Sequence, residues 1–205
     1  HIVHMVLGRI YLYRRQFDKA EMHFDKSLKL NPNDADNLAL ICGSTALLGK
    51  HDEGIELFNK ARKLNPYHGS WYYIFGIMGY FLAKRFDEIL GFVKEIPLTI
   101  SVDFPAYLAA VYAYIGDKEK AAYYKHLFDK TFEEKITYGR KAAPGEGLRW
   151  VLLVNPVKND EDLELFKKGL LKAGFTDSGE AGTNQVNLSE KYEEPVMISP
   201  CFILN

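Results

Sequence analysis

Acidic side chains recur in close groups along the chain, at Asp34 and Asp36, Asp52-Glu53, Glu133-Glu134, Asp160-Glu161-Asp162 and Glu193-Glu194. Two carboxylates held together can run general acid–base chemistry or hold a cation. Most of these fall at helix starts or turns, where the positive end of a helix dipole favours an acid, so they read as helix-start residues. The six histidines are His1, His4, His23, His51, His68 and His126. None stands four residues from another on a helix, and no cysteine lies near them at ligand spacing, so no metal site is expected. Pro144-Gly145-Glu146-Gly147 follows no strand pattern and reads as a turn, not a phosphate cradle. No serine elbow or nucleotide loop is present, so the sequence predicts no catalytic residue and no cofactor. Asn187-Leu188-Ser189 matches a glycosylation acceptor but has no secretory signal to give it meaning.

Composition is that of an ordinary globular chain. The 205 residues hold 26 Lys plus Arg and 27 Asp plus Glu, a net charge of −1. That balance gives no global reason to bind nucleic acid or an anionic membrane, and basic residues do not cluster with aromatics on one face. No apolar run reaches the length of a membrane span, and no signal peptide is visible. Cys42 and Cys201 are the two cysteines. They rule out a disulfide scaffold and fit a reduced, cytoplasmic setting. Aromatics are abundant, with 13 Tyr, 13 Phe and 2 Trp, and must fill a core or an interface. His1-Ile2-Val3-His4 opens inside an amphipathic pattern, which suggests a piece of a longer chain with His1 as a tag remnant.

The elements that position these residues come from an internal repeat. Ser27-Leu28-Lys29-Leu30-Asn31-Pro32 and Ala61-Arg62-Lys63-Leu64-Asn65-Pro66 lie 34 residues apart. The same offset carries Leu7 onto Ile41, Phe24 onto Phe58, and Lys19-Ala20 onto Glu53-Gly54. The matches fall at helical spacing, so each unit is two amphipathic helices joined by a short turn. Gly8 and Ala20 allow the two helices to approach closely, Tyr11 and Phe24 fill the space between hairpins, and Pro32 stops the second helix. Units are expected at 1–34, 35–68, 69–101 and 102–135. The third has a short second helix, because Pro97 interrupts it.

This pattern resembles the tetratricopeptide repeat, on Leu7-Gly8, Tyr11, Ala20, Phe24, Ser27 and Pro32. The resemblance implies an all-α, right-handed superhelix of helical hairpins. It also implies a concave groove lined by the first helix of each hairpin. Met5, Arg9 and Tyr13 would face it from the first unit, Tyr73, Ile77 and Tyr80 from the third, and Tyr114 from the fourth. Large aromatics flanked by small residues suit an extended peptide or a helix. A clamp for the acidic tail of heat-shock chaperones needs Lys and Asn on the first helices. Met5 and Arg9, then Ala39 and Leu40, stand there, so that clamp is not built.

Residues 136–175 read as a cap. Glu146–Val154 is a short apolar helix, and a second helix runs near 160–173 with Leu163, Phe166, Leu170 and Leu171 on one face. Asp160 is its expected N-cap and Gly174 its C′ residue. The stretch from Asn155 to Phe175 resembles the end of repeat regions attached to bacterial class III adenylate cyclases and related winged-helix regulators. The resemblance implies the regulatory part of a larger signalling protein. Residues 176–205 form a polar linker and then an apolar tail, Pro195–Leu204. The expected function is a non-catalytic protein–protein interaction module with a peptide or helix as partner. The alternatives are a homodimer built on the apolar face of the first hairpin, and an adaptor whose tail occupies its own groove.

Overall fold

The computed structural model describes residues 1–98 and 100–178. Expectations for the tail, Cys201 included, lie outside the described residues. Within the described residues the fold is all-α, with ten α-helices and no strand. They are α1 (Ile2–Tyr13), α2 (Phe17–Leu30), α3 (Ala35–Leu47), α4 (His51–Leu64), α5 (Trp71–Leu82), α6 (Phe86–Phe92), α7 (Phe104–Ile115), α8 (Lys118–Lys135), α9 (Glu146–Val154) and α10 (Asp160–Lys172). A single 3-10 turn at Val93–Glu95 follows α6.

Local chemistry sets these boundaries. The Asp34 side chain accepts a hydrogen bond from the Asn37 amide at 2.9 Å and caps α3. Asp117 caps α8 in the same way through the Lys120 amide, at 3.0 Å. Pro105 stands in the first turn of α7, where its missing N–H costs nothing. The N-cap of α10 is Asn159, not Asp160. Asp160, Glu161 and Asp162 all lie in its first turn, at the positive end of the dipole.

Within the hairpins α1–α2, α3–α4 and α7–α8 the paired helices pack side by side, and α5 packs on both α3 and α4. Close approach depends on small residues. A Cβ built on Gly8 would lie 2.5 Å from the Phe24 ring, and one on Gly76 would lie 2.7 Å from Phe58. Any larger residue would push the paired helices apart. Helix α5, Trp71–Leu82, is apolar on every side, and all of it except Trp71 is buried. A helix of that composition has no face to offer to water.

The C-terminal segment does not simply stack beyond α8. Helix α9 packs near α8, with Trp150 edge-on to Phe132 at 5.5 Å. Helix α10 then turns back and lies on α7 and the end of α5. Its Phe166 is fully buried, stacked on Tyr107 at 4.5 Å and edge-on to Phe81 at 5.2 Å. Of its expected apolar face, Phe166 and Leu170 are buried and Leu163 is half-buried, while Leu171 remains exposed.

Candidate functional site

The seven residues expected to line a groove divide into two groups. Met5, Arg9, Tyr73, Ile77 and Tyr80 are buried, while Tyr13 and Tyr114 are half-buried. Tyr73 and Tyr80 therefore form no open stripe on the third hairpin, where α6 is only seven residues long. With that helix truncated, Phe92 folds inward and covers α5. Its ring stacks on Tyr73 at 5.2 Å and lies 5.5 Å from Tyr80. The hydroxyls find partners within the fold. Tyr73 donates to Glu95 at 2.5 Å, and Tyr80 to Asn59 at 3.3 Å. Burial pushes the Tyr73 hydroxyl above its usual range, and the bond to the Glu95 carboxylate adds to the rise. The guanidinium of Arg9 lies over the Phe75 ring at 5.0 Å. The uninterrupted apolar run of α5 was the sequence signal for this burial.

A second set of residues was missed by sequence reasoning. Asn155, fully buried, accepts a hydrogen bond from the Tyr107 hydroxyl at 2.9 Å and donates to Val151 O at 2.9 Å and to Asp103 at 3.3 Å. The Lys158 amide donates to Leu47 O at 2.9 Å, at the end of α3. His51 Nε2, at the start of α4, lies 2.8 Å from the Asp162 carboxylate. These contacts tie the segment after α9 to the second and fourth hairpins. A polar residue between Val154 and Pro156 was the one hint that this turn is an anchor.

Where α10 meets the third and fourth hairpins it leaves an open cleft of about 530 Å³. Phe86, Tyr114 and Leu165 give it an apolar floor, and Lys84, Glu161, Glu164 and Lys168 stand around it. The Phe86 and Tyr114 rings stack at 5.3 Å, and the Tyr114 hydroxyl donates to Leu165 O at 2.6 Å. Burial raises the Tyr114 hydroxyl above its usual range, so it stays protonated as a donor. The Lys172 ammonium sits 5.1 Å from the same ring. A cleft of this kind can take one apolar side chain against the stacked rings and hold its neighbours by charges of either sign.

Other reactive groups are placed less usefully. The Cys42 thiol is buried, donates to Ala39 O at 3.0 Å, and is pushed far above its ordinary value by burial. A thiol so placed is a packing group. Among the described residues no group of three or more His, Cys, Asp or Glu could hold a metal ion. None of their helices is long and apolar enough to cross a membrane.

Comparison with known families gives one finding. The tetratricopeptide repeat family model matches residues 1–34. No curated protein and no solved structure matches the chain. The matched residues are the α1–α2 hairpin, so this hairpin is similar to a tetratricopeptide repeat.

Proposed function

We propose that the chain is a non-catalytic protein–protein interaction module that holds a peptide or helix at the Tyr114 cleft. Tetratricopeptide repeats generally mediate contacts between proteins. The observation that carries the reading is the cleft itself. It joins a stacked aromatic pair to a rim of two lysines and two glutamates, with α10 supplying one wall. Of the expected groove residues, Tyr114 is the one that lines this cleft. Its match is one apolar anchor flanked by charged residues, with no covalent chemistry involved. The resemblance of Asn155–Phe175 to the ends of bacterial signalling regulators supports a regulatory, cytoplasmic role within a larger protein.

Selection of peptides from a random library against the full chain tests this. The best peptide should bind Leu165→Asp at least tenfold more weakly, because a carboxylate would replace part of the apolar floor. Tyr123→Ala, at an exposed tyrosine on α8, should bind as the parent does. Failure to enrich any peptide, or equal binding by Leu165→Asp, refutes the cleft.

A further inference from the structure

Helix α10 has two faces. Asp162, Phe166, Gly169 and Leu170 are buried. Glu161, Glu164, Leu165 and Lys168 line the cleft, three, four and seven residues along from the first. That spacing is a single helix face of two turns, about 10 Å long. Lys172, four residues further, continues the stripe. The stripe is sorted by charge, with acids in the first half of the helix and lysines in the second. Glu161, Glu164, Lys168 and Lys172 are all exposed. Other charges on the same elements are paired within the chain, Arg85 with Glu88 at 2.7 Å and Lys167 with Asp177 at 2.8 Å. Glu161, Glu164 and Lys168 form no ion pair with a described residue.

We propose that the occupant of the cleft is an amphipathic α-helix of a partner protein, lying antiparallel to α10. This rests on the Tyr114 cleft being the binding site. An extended peptide needs partners for its own backbone groups. The polar groups of the floor, the Tyr114 hydroxyl and the Leu165 carbonyl, are already bonded to each other at 2.6 Å. Among the described residues there is no strand edge for a peptide to extend. A helix satisfies its backbone internally and brings only side chains. Helices carry acids by preference in the first turn and bases in the last, which is the order of α10 itself. Laid antiparallel, a partner helix of that order sets its acidic first turn beside Lys168 and Lys172. Its basic last turn then meets Glu161 and Glu164. One large apolar side chain between them rests on Phe86, Tyr114 and Leu165. Laid parallel, the same helix would set like charges together.

The test is a displayed library of helical peptides, about 18 residues long so that the helix holds in water. A fixed stripe of alanine and leucine carries random first and last turns. Selection against the full chain should converge on acids in the first turn and bases in the last. The selected peptide should gain helical circular dichroism on binding, and a proline at its centre should abolish binding. Lys168→Glu should weaken it about fivefold, the scale of one exposed ion pair turned to repulsion. Changing the first-turn acids of the peptide to lysine should restore binding to that variant. In a Cys201→Ser background, Glu161→Cys should crosslink to a cysteine in the last turn of the peptide and not to one in the first. A Leu165-dependent peptide from a fully random library that tolerates central proline, or that shows no charge order, overturns the helix and leaves the cleft. Crosslinking through the first turn overturns the antiparallel placement. A doubling of the mass of the full chain in sedimentation that Lys168→Glu abolishes assigns the cleft to a second copy, and also overturns the proposal. Failure of both libraries to yield a Leu165-dependent binder refutes the cleft and the helix together.

Discussion

Phe166→Ala would decide whether α10 is part of the core or a detachable cap. The ring is fully buried and touches Tyr107 at 4.5 Å and Phe81 at 5.2 Å. Replacing a buried Phe by Ala costs about 3–5 kcal/mol, which joins the lost transfer energy to the cavity left behind. Aromatic pairs add about 0.5–1.5 kcal/mol each beyond area, and the two pairs here place the expected loss at the upper half of that range, about 4 kcal/mol. For a chain of this size each kcal/mol lowers Tm by about 2–4 °C, so the fall should be roughly 8–16 °C. Urea unfolding followed by circular dichroism gives the free energy, and calorimetry gives Tm. Leu171→Ala, on the same helix at 39% exposure, should change stability by less than about 1 kcal/mol. Unfolding should stay one cooperative transition, because α10 bridges two hairpins. A loss below about 1 kcal/mol for Phe166→Ala, or a separate early transition for α10, would refute the reasoning.

Two further outcomes follow from the buried polar anchor. Asn155→Ala removes the acceptor of the Tyr107 hydroxyl and a donor to Asp103, leaving both buried groups short of a partner. The expected loss is about 2–4 kcal/mol by urea titration, and it should shrink in a Tyr107→Phe background, where no hydroxyl is left unpaired. Alkaline pH should also weaken the fold. Burial, and secondarily the Asp103 carboxylate, hold the Tyr107 hydroxyl well above its ordinary value of 10.0. Above that value the unfolded chain has released the proton and the folded one has kept it. The contribution is complete below about pH 10 and is lost as pH rises further. Tyr72, raised by burial and by its bond to Asp36, acts in the same direction. Tyr107→Phe should flatten the decline, and an unchanged pH profile would count against this assignment.

The helical hairpins are written in local residue patterns. The 34-residue offset, the small residues at Gly8 and Ala20, and the stop at Pro32 are local or nearly local signals. They fix helix type and pairing because a helix and its turn answer to spacing and backbone chemistry within a few residues. The short second helix of the third unit was legible for the same reason, from Pro97. What covers each face was a tertiary decision. Helical phase put Tyr73, Ile77 and Tyr80 on one side of α5, but their burial depends on Phe92 folding inward after a truncated α6. The apolar face of α10 was equally plain, yet its resting place on α7 and α5 joins residues more than fifty positions apart, such as Phe166 to Tyr107. An apolar face states only that it must leave water. Which surface receives it depends on the gap that the other elements leave, and that gap exists only once the chain has folded.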